Sequence, residues 1–181
     1  ITVAAVANDK ESESGQGSPT RVALFGDDSG TVFALDASTG IKLWQTTVAN
    51  HILARITAAP TVYDDVVYVP ISSMEDPLTH DKSHVCCTAR GGVAALALKT
   101  GKQLWKQDHI TTPLEILEQT LGHGEESLGP EHGGGQFKQG PAGASTYTPL
   151  TIDPQRGLVF ATTAEEYGFT GVAGPYSVIA Y

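Results

Sequence analysis

The sequence predicts an all-β chain built from short strands and tight turns. Three observations predict it: abundant turn residues, several short β-rich runs, and a strand-turn-strand unit that recurs. The 181 residues include 20 glycines and 10 prolines, a punctuation that suits short strands better than long helices. Hydrophobic residues make up 40% and charged residues 17%, which argues for a packed core rather than a disordered chain. No apolar run approaches the ~20 residues of a membrane-spanning helix. Acidic side chains outnumber basic ones 20 to 11, giving a net charge of −9 without a Lys/Arg cluster. That disfavours nucleic acid, whose phosphates need a basic footprint.

The recurring unit is Gly30-Thr31-Val32-Phe33-Ala34-Leu35-Asp36-Ala37-Ser38-Thr39-Gly40-Ile41-Lys42-Leu43-Trp44. It returns without gaps from Gly91 to Trp105, and both copies end in Thr-Gly-x-x-Leu-Trp. A third copy begins at Ser177-Val178-Ile179-Ala180-Tyr181. Upstream of the copies lie β-rich runs at Arg21–Phe25, Asp65–Val69 and Gly157–Thr162, with further runs at Thr57–Tyr63 and Tyr147–Ile152. Self-similar units of three or four strands are the signature of a β-propeller. The fold class expected is therefore an all-β β-propeller with tryptophan-docking-like repeats and about three blades.

The rest of the chain fits around those blades as one propeller domain over residues 1–181. Residues 1–20 read as an irregular leader. The spacing between copies exceeds the ~40–50 residues of a common blade, and the excess falls in two polar insert loops, 72–85 and 112–140. Leu114-Glu115-Ile116-Leu117-Glu118 suggests a short helical turn within the second. Three blades make an incomplete ring, since propellers close with ~4–8. Two open sheet edges then need covering by further blades or by another copy. The start at Ile1 and the stop inside an apolar run at Tyr181 agree with the expectation of a fragment.

Cys86 and Cys87 are the only cysteines and are adjacent. Neighbouring Cα atoms lie about 3.8 Å apart, closer than the 4.4–6.8 Å typical of a disulfide, so a bond between them would be strained. The alternative is two free thiols packed in a core. Joint zinc ligation is opposed, because adjacent strand residues point to opposite faces.

Several blocks resemble one family. They are Ala54-Arg55-Ile56-Thr57-Ala58-Ala59-Pro60, Val67-Tyr68-Val69-Pro70-Ile71-Ser72-Ser73-Met74-Glu75, Cys86-Cys87-Thr88-Ala89-Arg90-Gly91-Gly92-Val93 and Gly101-Lys102-Gln103-Leu104-Trp105-Lys106. Gly140-Pro141-Ala142-Gly143-Ala144-Ser145-Thr146-Tyr147 and Thr151-Ile152-Asp153-Pro154 continue the match. Over residues 20–181 the sequence is similar to the pyrroloquinoline quinone (PQQ) dependent alcohol dehydrogenases, in the branch of the polyvinyl-alcohol dehydrogenase-like quinoproteins. The Thr-Gly-x-x-Leu-Trp repeat is shared with non-enzymatic propellers. The Cys-Cys-x-x-Arg-Gly block is the more specific signal.

The resemblance implies roles. Cys86 and Cys87 would form a vicinal disulfide against one face of PQQ. Arg90 would contact the quinone, where a guanidinium suits carboxylates or a developing oxyanion. A surface arginine is the bland alternative. Ala142, Gly143, Ala144 and Ser145 fall in the cofactor-binding stretch. Tyr147 stands where the family places a stacking Trp, and reads either as that stack or as a core aromatic. Glu165, in Thr163-Ala164-Glu165, stands at a Ca²⁺ ligand of the family, and reads either as that ligand or as a solvated turn.

The implied activity is oxidation of an alcohol, polymeric or secondary, with electrons passed to a cytochrome c in the periplasm or outside the cell. The family's catalytic base would lie beyond Tyr181, so no catalytic residue is nominated. Two other classes stay open: a non-catalytic scaffold of the outer-membrane assembly type, and a sugar-oxidising quinoprotein. Ala97 in place of Asp36's counterpart, Tyr147 and Ala164 lean toward the scaffold. His80, His84, His123 and His132 lack ordered metal-ligand spacing and read as loop histidines. Gly133-Gly134-Gly135 lacks the Lys-Ser/Thr of a phosphate loop. Neither a haem-attachment Cys-x-x-Cys-His nor a Gly-x-Ser-x-Gly elbow occurs.

Overall fold

The computed structural model describes residues 1–6, 20–75, 77–78, 81, 83–111, 113, 115–116, 136–137, 139–164, 166–167 and 178–180. For 85–86, 115–116, 136–137, 139, 166–167 and 178–180 it describes the backbone alone. The first blade is four antiparallel strands in sequence order: β1 (Thr2–Val6), β2 (Thr20–Gly26), β3 (Thr31–Asp36) and β4 (Lys42–Thr47). Alternation sets its inner face, with Val22, Leu24, Val32 and Ala34 almost fully buried.

The second blade begins with β5 (Ala54–Arg55) and β6 (Thr61–Tyr63), which pair opposite ends of β7 (Val66–Ser73). After β8 (Val85–Cys86) come β9 (Gly92–Ala97) and β10 (Gln103–Asp108), giving the order β6-β7-β9-β10. Short pairs follow. β11 (Glu115–Ile116) pairs β13 (Gln139–Gly140), and β12 (Gln136–Phe137) runs parallel to β8. β14 (Ala142–Gly143) pairs β17 (Glu166–Tyr167). The third sheet is β15 (Thr151–Asp153), β16 (Leu158–Thr162) and β18 (Val178–Ala180). β18 pairs β16 as β3 pairs β2 and β9 pairs β7, so the third copy of the repeat starts where the sequence places it. The chain is an incomplete β-propeller of about three blades.

The repeat explains how blades join. In the first copy Asp36 Oδ1 accepts the amides of Ser38 at 2.8 Å and Thr39 at 3.0 Å, and the Ser38 hydroxyl at 2.5 Å. These bonds, the Ser38 hydroxyl foremost, hold the Asp36 carboxyl below its ordinary range. Gly40, at φ +73°, closes the turn. The second copy keeps the turn without an aspartate: Gly101 N donates to Ala97 O at 2.8 Å and Lys102 N to Thr100 Oγ1 at 3.3 Å. Over that turn lies Trp44, whose Nε1 donates to Leu98 O at 2.9 Å. Thr46 Oγ1 donates to Gly101 O at 2.6 Å. A core of Trp44, Val48, Val69, Leu96 and Leu98, with the inner face of the first blade, fills the space between the two blades. Val93 packs on Leu150, Val159 and Ala161 between the second and third.

Some expectations need correction. The irregular leader contains β1, which pairs β2 from Thr2↔Leu24 to Val6↔Thr20. The polar run after Val6 hides a strand that only its partner across that run defines. Glu115 and Ile116 are extended, not helical, because they pair Gly140 and Gln139; the rest of the suggested turn lies outside the described residues. The run from Thr57 forms a strand only at Thr61–Tyr63, and that from Tyr147 only at Thr151–Asp153. In the first insert loop, Ser72 and Ser73 extend β7 and are buried.

Candidate functional site

The end of β7 organises the site. Three segments converge on Ser73 and Glu75: the turn Cys87–Gly91, the stretch Ala142–Tyr147, and the loop after β4. Ser73 N donates to Ser145 Oγ at 3.2 Å. Tyr147 Oη donates to Ser73 O at 2.9 Å. Thr146 N donates to Ile71 O at 3.1 Å. Tyr147 lies outside any strand and is 39% exposed, so it is not a core aromatic.

The Cys87–Gly91 turn is held from both sides. On one side Glu75, 2% exposed, accepts the Thr88 amide at 3.1 and 3.0 Å on its two oxygens and the Ala89 amide at 2.6 Å on Oε2. His51 reinforces this. Its Nδ1 accepts Leu53 N at 3.1 Å, so the neutral ring carries its proton on Nε2 and donates to Thr88 Oγ1 at 2.7 Å. On the other side Gly143 N donates to Ala89 O and Gly91 N donates to Gly143 O, each at 2.8 Å. Arg90 forms a bridge with Gly143.

This crossing requires glycine at 91. A Cβ there would lie 2.0 Å from Ala144 O and 2.5 Å from Ser145 Cα. The opposing backbone is itself strained, because Ala144 sits at φ +52°, a left-handed conformation that costs a non-glycine residue about 1 kcal/mol or more. Strain of this kind is held where surrounding bonds over-determine the backbone, and here Ala164 N also donates to Ser145 O at 2.7 Å.

Arg90 supplies the clearest chemical signal. Its Nε donates to Pro141 O at 3.2 Å and its Nη1 to Ile110 O at 3.3 Å. Its Nη2 is buried and has no hydrogen-bond partner among the described residues. A buried unpaired donor costs about 1–3 kcal/mol, and more when charged, so its persistence fits a site that receives an acceptor oxygen. PQQ, with its carboxylates and quinone oxygens, fits that donor.

Cys87 is fully buried. Cys86 contributes backbone to β8, pairing Phe137; its side chain is outside the description. A carboxylate oxygen of Glu75, a ring nitrogen of His84 and Cys87 Sγ lie within 4.8 Å of one another. Glu165 lies outside the described residues, though its neighbour Ala164 is tethered to Ser145. Of the nominated residues, Cys87, Arg90, Ala142, Gly143, Ala144, Ser145 and Tyr147 thus belong to one constellation. Ser73 and Glu75, which hold it, were not singled out from sequence. Their signal is non-local: Glu75 is 13 residues from Thr88 and Ser73 is 72 from Ser145.

His109 buttresses the same region. Its Nε2 lies 2.7 Å from Thr146 Oγ1, and burial pushes its pKa down to about 4 against the opposing pull of Asp108. Apart from the site, a groove of about 510 Å³ lies between Thr2–Ala5 and Val62–Asp65, at the opposite end of β7.

Comparison with known proteins agrees with this geometry. Residues 3–134 match the PQQ-repeat family model described as outer membrane protein assembly factor BamB. A polyvinylalcohol dehydrogenase from Pseudomonas sp is 35% identical over 165 residues, covering 91% of this chain and 24% of that protein. A polyvinylalcohol dehydrogenase from Sphingopyxis sp. (strain 113P3) is 33% identical, covering 84% and 22%. The chain therefore spans about a quarter of the length of these relatives. In fold it is similar to a quinohemoprotein alcohol dehydrogenase from Pseudomonas putida HK5, with TM-score 0.52 and 23% identity over 81% of this chain and 21% of that one. It is also similar to a europium-containing methanol dehydrogenase, with TM-score 0.50 and 24% identity over 84% and 25%. The chain belongs to the PQQ-repeat family, as a partial propeller of the quinoprotein alcohol dehydrogenase type.

Proposed function

We propose that this chain forms one wall of the cofactor site of a PQQ-dependent alcohol dehydrogenase. The observation that carries the reading is the buried Nη2 of Arg90, which has no hydrogen-bond partner among the described residues, on a residue bridged to Gly143 and three positions after Cys87. When bound, PQQ supplies a quinone that accepts two electrons and the hydrogen of an alcohol. Arg90 binds an oxygen of that group and keeps it oriented. A vicinal Cys86–Cys87 disulfide offers a rigid apolar surface to one ring face, and Tyr147 offers an aromatic face to the other. A Cys86–Cys87 disulfide would support a location in the periplasm or outside the cell.

The finer assignments follow the same reading. The substrate is an alcohol, polymeric or secondary, and a cytochrome c accepts the electrons. Ca²⁺ rests on Glu165 alone. The described residues provide no cage of hard oxygen ligands. None of the nominated residues is a catalytic base. The expected result is no alcohol turnover by the purified chain with PQQ and Ca²⁺ in a dye-linked assay; robust turnover would contradict this.

A non-catalytic scaffold is the second reading, favoured by the assembly-factor description of the matching family model. Titration with PQQ, followed by quenching of tryptophan fluorescence, separates the two. The dehydrogenase reading expects saturable binding that weakens at least tenfold in Arg90→Met, the loss expected for one charged hydrogen bond. The scaffold reading expects no saturation in either protein.

A further inference from the structure

Glu75 is the only charged side chain buried in the core among the described residues. Burying a carboxylate costs several kcal/mol unless its oxygens are satisfied. Here the satisfaction is specific. Oε2 accepts Thr88 N at 3.0 Å and Ala89 N at 2.6 Å, while Oε1 accepts Thr88 N at 3.1 Å and lies 3.3 Å from His84 Nε2. Two successive amides converging on one anion form a nest, here filled by a side chain of the same protein. The nest is the backbone that immediately follows Cys87 and immediately precedes Arg90.

A metal centre is the competing explanation, since Glu75, His84 and Cys87 present three ligand atoms close together. The bonding opposes it. In the proposed disulfide Cys87 would offer no thiolate, and a metal at Glu75 would have to displace amide bonds already made. The carboxylate is spent on holding a turn.

We propose that Glu75 is a positioning residue: it fixes the Cys87–Arg90 turn for the cofactor, and its negative charge guards the Cys86–Cys87 bond against reduction. The first half rests on the PQQ reading above; the second rests only on the disulfide. The charge argument is direct. Reduction by a dithiol begins when its thiolate attacks one cysteine sulfur and the other leaves as a thiolate. The second reductant thiol then completes the exchange, leaving two cysteine thiols and an oxidised reductant. A Glu75 oxygen lies within 4.8 Å of Cys87 Sγ, so both incoming and departing negative charge are opposed. Ser73 adds to the positioning, because its Oγ accepts the Glu75 amide at 3.2 Å while its own amide holds Ser145.

The test compares wild type with Glu75→Gln and Glu75→Asp. Glutamine keeps the shape but loses the charge, and it turns an amide donor toward backbone N–H groups. Aspartate keeps the charge on a shorter stem. Reduction rates with dithiothreitol, read by thiol mass tagging, should show Glu75→Gln reduced about tenfold faster, with Glu75→Asp in between. PQQ affinity should fall about tenfold in Glu75→Gln. A folded Glu75→Gln with wild-type reduction rate and wild-type PQQ affinity overturns the proposal. So does stoichiometric binding of Zn²⁺ alone by the oxidised wild type that Glu75→Gln abolishes, which would make the cluster a metal centre. Failure of the wild type to bind PQQ sinks the PQQ reading and the positioning half with it, while the redox arm still decides the guarding half. If neither variant folds, hydrogen exchange on the wild type decides: the Thr88 and Ala89 amides should be strongly protected, and fast exchange at both overturns the assignment.

Discussion

Gly40 and Gly101 occupy the same place in two copies of the repeat, at φ +73° and +69°, yet only one of them lies under a tryptophan. A Cβ on Gly101 would meet Trp44 Cε3 at 2.5 Å and Cδ2 at 2.6 Å; a Cβ on Gly40 would meet nothing within 4 Å. Alanine at either position pays about 1–2 kcal/mol for the left-handed backbone, partly offset by about 0.4–1 kcal/mol from a stiffer unfolded chain. Gly40→Ala should therefore destabilise by about 1 kcal/mol. Gly101→Ala carries the same cost plus overpacking against the indole, about 1–3 kcal/mol. It also endangers the 2.9 Å bond from Trp44 Nε1 to Leu98 O. At roughly 2–4 °C per kcal/mol for a chain of this size, Gly101→Ala should melt about 2–12 °C below Gly40→Ala. Thermal melts by circular dichroism measure the difference. Equal melting temperatures would refute the claim that Trp44 docks the first blade on the second through this turn.

Other consequences follow from the site. Gly91→Ala forces a Cβ into the Ala144 carbonyl, so it should cost about 3 kcal/mol and abolish PQQ binding; a stable variant with intact affinity in the same titration would contradict the crossing of the two segments. His109 stays neutral in the fold, with its pKa lowered from 6.5 to about 4 chiefly by burial. Its contribution to stability is complete above about pH 6.5 and is lost as pH falls toward 4, because the unfolded chain takes up the proton first. Allowing for its partial exposure, the loss is about 2 kcal/mol, and denaturant melts of His109→Gln should show a flatter pH dependence across that window.

The parts of this architecture that are local in sequence were legible there. The recurring unit announces a strand, a turn, a second strand and an indole within a few residues, and it located β3, β4, β9, β10 and the start of β18. The strand β1 was not legible, because its partner β2 lies beyond a polar run and five residues alone carry little pattern. Arg90 was nominated through resemblance; by composition it is an ordinary surface arginine, and only three-dimensional placement shows its buried, unpaired Nη2. Ser73 and Glu75 lay inside what read as a polar insert. A serine and a glutamate there look solvated until distant amides, at Thr88, Ala89 and the Ser145 hydroxyl, are brought against them. The left-handed Ala144 gives no sequence signal at all, since alanine does not advertise a positive φ.

The central claim is that Cys87–Gly91 and Ala142–Tyr147 together form a cofactor wall. Amide spectra of the isotopically labelled chain, titrated with PQQ alone, test it residue by residue. Saturable shifts should concentrate on Cys87 through Gly91 and on Ala142 through Tyr147, and should need at least tenfold more PQQ in Arg90→Met. Absence of shifts at any PQQ concentration, or shifts confined to the groove of Thr2–Ala5 and Val62–Asp65, would contradict it.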